Sequence, residues 1–123
     1  MTCHLKIQTD ALAKNYHKFV HALGGQTERV AGVLKADGYG MGAVEIARRL
    51  AGEGCQVFFA ASVTEAIILR EAEVRELIYV FSGPLTDYDV PLFKNNNLRP
   101  VLNDKLQVDR WRRLGDGMPA ALH

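Results

Sequence analysis

The sequence predicts an α/β protein in which parallel strands alternate with helices, in an arrangement typical of about half of a (β/α)8 barrel. Short apolar runs and amphipathic helical patterns follow one another in strict alternation along the chain, as four strand-and-helix units. Each run is short and is followed by one helix of similar length, which favours a barrel over an open doubly wound sheet. A fifth apolar run near residue 120 has no helix after it. The chain therefore looks like a partial barrel.

Length, composition and charge exclude several classes of partner. The chain has 123 residues, 48% hydrophobic and 24% charged, with a formal net charge of +1. This balance gives no reason to expect nucleic acid or an anionic membrane as partner. No apolar run is long enough to span a bilayer, and the first residues lack the apolar core of a signal peptide. We therefore expect a cytoplasmic protein.

The chain begins with a predicted leading extended segment over residues 1–10. Thr9 and Asp10 are the expected cap of a first helix, which the apolar spacing places at Ala11 to Leu23. The first strand is predicted at Arg29 to Lys35, where apolar residues are consecutive.

The candidate metal ligands do not form a convincing site. His17 and His21 lie four residues apart on one helix face, but nothing else near them in sequence completes a metal site, so we interpret them as part of a solvated face. Cys3 and Cys55 lack metal-binding spacing and are expected to be reduced structural thiols. The sequence predicts no metal.

The later elements follow from caps and apolar runs. Ser62 and Glu65 form a predicted capping box, in which each side chain bonds to a free amide of the other, and Asn103 is the expected cap of the last helix. The predicted helices are Ala43 to Gly52, Ala66 to Glu71, Thr86 to Lys94 and a last one ending near Leu114; the predicted strands are Gln56 to Ala60, Leu77 to Phe81, Leu98 to Leu102 and Met118 to His123.

One strand end carries an unusual lysine. Lys35 closes the first strand and is followed by Gly38, Gly40 and Gly42 before a helix begins. An ammonium at the end of a buried strand is costly unless it is used there. At the carboxyl end of a barrel strand, a partly desolvated amine can form a Schiff base with an aldehyde such as pyridoxal phosphate, and the hydroxyl of Tyr39 could then reach the phosphate.

Two nucleotide-binding alternatives fit this turn less well. The spacing of Gly38, Gly40 and Gly42 puts the third glycine one residue too early for a dinucleotide fingerprint, and no acidic residue follows the second strand to hold a ribose. A Walker-type phosphate loop is excluded because no Gly-Lys-Ser/Thr is present. The lysine chemistry is the better explanation.

The segment Val33-Leu-Lys-Ala-Asp-Gly-Tyr-Gly-Met-Gly42 resembles the cofactor-lysine motif of the alanine racemases, Lys-Ala-x-x-Tyr-Gly-x-Gly after an apolar strand. The resemblance extends over nearly the whole chain. Further segments that resemble the family are Ile7 to Asn15, Phe58 to Arg70, Ile78 to Gly83, Leu98 to Leu106 and Ala120 to His123.

The resemblance implies a fold-type III pyridoxal-phosphate enzyme with an N-terminal barrel, a C-terminal β domain and a homodimeric active form. It implies that Lys35 binds the cofactor covalently and moves the α-proton of alanine, that Tyr39 holds the phosphate, and that Phe81 lines the cofactor ring. Residues 1–123 would then be a partial barrel domain, with the C-terminal half of the barrel and the β domain absent. On this basis we expect the 123-residue chain alone to be inactive and to bind the cofactor poorly.

Other functions share parts of this pattern. Pyridoxal-phosphate homeostasis proteins have the barrel and the lysine but generally lack the Tyr-Gly-x-Gly that includes Tyr39. Decarboxylases of the same fold type have a related lysine strand, as a rule without this tyrosine turn. A third hypothesis is a truncated segment in which the motif is intact but idle.

Overall fold

The computed structural model describes residues 1–123 and contains one five-stranded parallel sheet whose strand order follows the order in the chain. Every strand pairs with the next one along the sequence. This confirms the predicted α/β class. The strands are β1 (Gly32–Val33), β2 (Val57–Ala60), β3 (Leu77–Val80), β4 (Arg99–Leu102) and β5 (Ala121–Leu122); the helices are α1 (Thr9–Ala22), α2 (Lys35–Tyr39), α3 (Ala43–Gly52), α4 (Val63–Glu71), α5 (Val90–Asn95) and α6 (Lys105–Leu114).

The start of the chain differs from the prediction at both of its elements. Helix α1 begins at Thr9 with Gln8 as N-cap, and no side chain caps it. The predicted cap at Thr9 and Asp10 is therefore wrong, and the leading segment is residues 1–8. Strand β1 is also much shorter than predicted, because a 3₁₀ turn at Thr27–Arg29 precedes it and α2 begins directly after Leu34.

The predicted caps of two later helices were right in one case and wrong in the other. The Ser62 hydroxyl accepts a hydrogen bond from the Glu65 amide at 3.3 Å and caps α4 as predicted. Helix α6 is capped by Asp104, whose carboxylate accepts from the Gln107 amide at 2.8 Å. The prediction of Asn103 as cap was wrong by one position.

The predicted helix at Thr86 to Lys94 is divided in two. A 3₁₀ turn at Asp87–Asp89 comes first, with Thr86 and Asp89 forming a reciprocal capping box, and α5 follows it with a proline in its first turn. The boundary arises because the 3₁₀ turn is closed by its own cap before α5 starts.

One face of the sheet packs on the helices and the other does not. Along β2 and β3 buried and half-buried residues alternate. Phe58 and Ile78 are fully buried in the core with Leu50, Leu69 and Phe93. Their strand neighbours point to the opposite face, which we call the inner face because it would line a barrel. The consecutive apolar residues of β2 are typical of a strand covered on both faces, but here the inner face is only half-buried.

Helix α1 is tied to α3 by charged side chains. His17 lies 2.6 Å from Glu53, and Arg49 bridges Asp10 at 2.7 Å and Glu53 at 3.0 Å. The His17 hydrogen bond, reinforced by Arg49, lowers the pKa of Glu53 below its ordinary value. His17 remains exposed, with 52% of its side chain accessible, so the interpretation of a solvated helix face is confirmed even though the ring bonds to Glu53 on α3.

The fold contains neither a cluster of metal-binding side chains nor a helix suited to crossing a membrane. No group of three or more histidine, cysteine, aspartate or glutamate side chains is placed to hold a metal ion. None of the helices combines the length and the apolar character that crossing a membrane requires.

Candidate active site

The parallel strands end at a common edge of the sheet, and the residues that follow them form the candidate site. Lys35 comes two residues after β1, Ala61 directly follows β2, Phe81 follows β3, Asn103 follows β4 and His123 follows β5. In parallel sheets of barrels and related folds this carboxyl edge is where active sites are built. Both sequence-predicted site residues lie here, on the β1 end.

The lysine opens a turn of unusual hand. Residues Ala36, Asp37 and Gly38 have φ/ψ near 52/49°, 54/48° and 62/40°, and Tyr39 has φ of 58°. This is one turn of left-handed helix, a conformation that costs a residue with a side chain roughly 1–2 kcal/mol. Strain of this kind persists only where the surrounding structure holds it, and it is concentrated at functional sites. α2 is therefore a left-handed turn and not a regular right-handed α-helix.

Backbone and side-chain bonds hold this left-handed turn closed. The Gly38 amide donates to the Leu34 carbonyl at 2.8 Å, and the Gly42 amide donates to the Asp37 carbonyl at 2.9 Å. The Asp37 carboxylate accepts from the Ala43 amide at 2.8 Å, at the start of α3. The turn is therefore fastened to the last residue before it and to the helix after it.

The two predicted site residues are close to each other and free of other partners. The Lys35 Nζ lies 5.8 Å from the centre of the Tyr39 ring. The Tyr39 side chain is 60% exposed, and Lys35 is exposed as well. Neither side chain makes a hydrogen bond or an ion pair within the chain, so the amine and the phenol are both available to a ligand.

Aromatic rings cover the inner face beside this turn. Phe59 stacks on Tyr79 with ring centres 5.1 Å apart and on Phe81 at 4.9 Å. Val33 pairs with Phe59 across β1 and β2, so the same layer reaches the strand that leads to Lys35. Phe81 is 36% exposed. The inner face therefore offers an apolar aromatic surface that extends to the strand before the lysine.

A polar network joins the ends of β3, β4 and β5. The Asn103 amide group donates to the Phe81 and Val101 carbonyls at 2.8 and 3.1 Å, and its oxygen lies 2.9 Å from His123 Nδ1. The buried Gln107 donates to the Ser82 carbonyl at 2.7 Å. Sequence analysis missed this network, because Asn103 was interpreted only as a cap. The available signal was its place directly after a strand.

A comparison with protein families identifies the chain. The family model described as "Alanine racemase, N-terminal domain" matches residues 7–123. The chain belongs to the alanine racemase N-terminal domain family. The family resemblance inferred from the motif around Lys35 is thereby confirmed.

Curated relatives agree with this assignment. The chain is 36% identical over 126 residues to an alanine racemase of Rickettsia prowazekii, covering 98% of this chain and 30% of the relative. It is 38% identical over 123 residues to a catabolic alanine racemase of Mesorhizobium japonicum, covering 96% of this chain and 32% of the relative. The chain thus spans about a third of the length of the racemases it matches.

Solved structures show the same fold. The alanine racemase of E. faecalis superposes with a TM-score of 0.78 at 30% identity, over 95% of this chain and 32% of that one. The alanine racemase of Bartonella henselae, solved with covalently bound pyridoxal phosphate, also gives a TM-score of 0.78, at 28% identity over 89% of this chain and 30% of that one. The partial-barrel fold predicted for this chain is therefore confirmed.

The residues present fit pyridoxal phosphate by their chemistry. The cofactor has an aldehyde, an aromatic ring and a phosphate. Lys35 supplies an amine with no acidic partner, Tyr39 supplies a free hydroxyl donor, and Phe81 with Phe59 supplies an aromatic surface. No side chain of this set conflicts with the group.

Proposed function

We propose that this chain forms part of a pyridoxal-phosphate-dependent racemase that interconverts L-alanine and D-alanine. The observation that carries the proposal is the pairing of Lys35 and Tyr39 on the left-handed turn, with both polar groups free. Family membership supports it. The tyrosine turn favours a racemase over the homeostasis proteins and decarboxylases considered above.

The proposal gives each residue of the site one task. When bound, the cofactor supplies an electron sink that lowers the cost of removing the α-proton of an amino acid. Lys35 would hold the cofactor through its Nζ, and once the amine of the amino acid has displaced it, the freed Nζ would take up or return that proton. Tyr39 donates a hydrogen bond to the phosphate. Phe81, with Phe59 stacked on it, would line the cofactor ring.

From the resemblance to the alanine racemases we propose that the whole protein is a cytoplasmic homodimer that uses alanine. This chain spans about a third of each racemase relative. The 123-residue chain by itself is expected to show no turnover, and racemisation by that purified chain would contradict this expectation.

Covalent trapping tests the central assignment. The complete gene product is incubated with pyridoxal phosphate, reduced with borohydride, digested and analysed by mass spectrometry. We expect the pyridoxyl group on Lys35, and we expect Lys35→Arg to abolish both trapping and alanine racemisation. Lys105→Arg is the matched control, since Lys105 is exposed and lies on α6. Trapping at another lysine, or wild-type racemisation by Lys35→Arg, would overturn the proposal.

A further inference from the structure

One carboxylate joins the lysine turn to the neighbouring strand. Glu65 lies in the first turn of α4, and its two oxygens bond to two backbone amides. Oε1 accepts from the Ala36 amide at 2.9 Å, and Oε2 accepts from the Ala61 amide at 2.8 Å. Ala36 directly follows Lys35, and Ala61 directly follows β2. A single side chain therefore bridges the carboxyl ends of two adjacent strands.

This bridge stands where backbone pairing stops. The last ladder bond between the two strands runs from the Leu34 amide to the Phe59 carbonyl at 2.8 Å. Regular parallel pairing would next join the Ala61 amide to the Leu34 carbonyl. That carbonyl is occupied instead by the Gly38 amide, at 2.8 Å, because the chain turns left-handed there. Glu65 supplies the acceptor that the turn has removed.

The capping box predicted for Ser62 and Glu65 is only half formed, because the Glu65 carboxylate bonds to other amides. In a regular box the Glu65 carboxylate would accept from the Ser62 amide. Here it accepts from Ala61, one residue earlier, with one oxygen and reaches across to Ala36 with the other. The Ser62 half of the box is retained. The second oxygen thus links α4 to a residue 29 positions away in sequence.

We propose that Glu65 is a positioning residue, which holds the amide of the Lys35–Ala36 peptide bond against the end of β2 and so sets where the lysine amine meets the cofactor. The inference rests on the proposed function of Lys35. Ala36 has a φ of 52°, so the first residue of the strained turn is the one that Glu65 holds. Without the carboxylate, the Ala36 and Ala61 amides lose their acceptors and the turn is free to relax, which displaces the amine.

The test compares Glu65→Gln with Glu71→Gln in the complete gene product. Glutamine keeps the size of Glu65 but has one acceptor oxygen, so its NH₂ group faces an amide that also donates. Glu71 is exposed, lies on the same helix and makes no hydrogen bond or ion pair, so its variant matches the charge change alone. Amide hydrogen exchange at Ala36 and Ala61 is measured by NMR without cofactor. Pyridoxal phosphate affinity and the pH dependence of its absorbance are measured with cofactor.

In Glu65→Gln we expect exchange at Ala36 or Ala61 to accelerate about tenfold or more, and cofactor affinity or racemisation to fall by about tenfold to a hundredfold, since small misplacements of a reacting group have effects of that size. Glu71→Gln should leave each of these unchanged. A purely structural role would lower the thermal midpoint of Glu65→Gln and leave its exchange pattern at Ala36 and its cofactor spectrum as in the wild type, and that result overturns the inference.

Failure of the inference and failure of the proposed function give different results. If wild-type protein traps the cofactor at Lys35 and Glu65→Gln does so with unchanged affinity and spectrum, only the positioning role is wrong. If wild-type protein traps no cofactor at Lys35, the proposed function is wrong and the inference that depends on it falls as well.

Discussion

At the scale of single residues, the phenol of Tyr39 is expected to act through one hydrogen bond. Tyr39→Phe removes the hydroxyl and retains the ring that lies 5.8 Å from the Lys35 amine. A hydrogen bond to a charged group contributes about 1.5–3 kcal/mol, so we expect pyridoxal phosphate affinity to fall by about tenfold to a hundredfold. Tyr88→Phe is the control because Tyr88 is 89% exposed and lies on another segment. Equal affinities of the two variants, measured by titration, would exclude the phosphate role.

A second residue-scale prediction concerns the glycines of the turn. Gly38 has a φ of +62°, and a Cβ there would lie 3.3 Å from the backbone N and Cα of Ala43, whereas Gly40 has a φ of +80° and open space around it. Gly40→Ala therefore meets only the left-handed strain, about 1 kcal/mol, while Gly38→Ala also forces the backbone apart and should cost about 2–3 kcal/mol. Urea unfolding of both variants measures the difference. Equal losses would mean that the Ala43 contact is unimportant.

Single residues also show where sequence analysis succeeds and where it stops. Lys35 and Tyr39 could be paired from the sequence because they are four residues apart on one turn. The link from Glu65 to Ala36 could not, since it spans 29 residues and depends on the hand of the turn. A glycine-rich pattern indicates that positive φ is needed somewhere, but it does not show that Ala36 and Asp37 adopt it too.

At the scale of elements, Arg70 fastens α4 to the loops that precede β3 and β4. Its guanidinium donates to the Val74, Glu76, Asn96 and Asn97 carbonyls at 2.6, 2.8, 3.0 and 3.0 Å. A lysine has the charge but not the planar fork, so most of these bonds are lost in Arg70→Lys.

We expect Arg70→Lys to lower the free energy of unfolding by about 2–4 kcal/mol, because several backbone carbonyls are left without a hydrogen-bond donor. Arg75→Lys is the matched control, because Arg75 is exposed and makes no hydrogen bond or ion pair, and it should stay within about 0.5 kcal/mol of the wild type. The measurement is denaturant unfolding. A loss of similar size in both variants would show that the fork has no special role.

Element boundaries were predictable where local chemistry decides them. The bounds of α3 match the prediction at both ends because its apolar stripe and the preceding glycine are local signals. Strand β1 was overestimated because an apolar run shows what can be buried, not how long ladder pairing lasts. Ladder pairing ends there because the Leu34 carbonyl accepts from the Gly38 amide instead of from the neighbouring strand. The pattern of apolar residues does not predict this hydrogen bond.

At the scale of the whole molecule, the alternation of strands and helices in the sequence predicts the strand order. It does not predict that one face of the sheet is left without helices. Strict alternation of strands and helices predicts sequential parallel pairing, which the sheet confirms. The inner face carries Phe59, Tyr79 and Phe81, and the composition of β2 suggested cover on both sides. The apolar composition of β2 shows that the strand is suited to burial on both faces. In a closed barrel, side chains from the other strands fill the interior and cover the inner face.

Surface ion pairs distributed over the whole molecule give its stability a pH dependence of known sign. Hydrogen bonds from Arg113 and Arg110 lower the pKa of Asp87, and a hydrogen bond from Lys105 lowers that of Asp109, as His17 lowers that of Glu53. A carboxyl with a lowered folded-state pKa binds fewer protons folded than unfolded. Its contribution is therefore complete above the ordinary carboxyl pKa of about 4 and is lost as the pH falls below that value through the folded pKa.

Asp87→Asn tests this sign directly. The variant should unfold at lower urea concentration than the wild type at pH values near neutral, and the difference should disappear as the pH falls below about 4, where wild-type Asp87 is itself becoming neutral. Because these pairs are on the surface, added salt should reduce the difference at neutral pH. Glu28→Gln is the control, since Glu28 is exposed and makes no ion pair, and its difference from the wild type should be small at every pH. A penalty in Asp87→Asn that is the same at acidic and neutral pH would mean that Asp87 stabilises the fold through its shape rather than its charge.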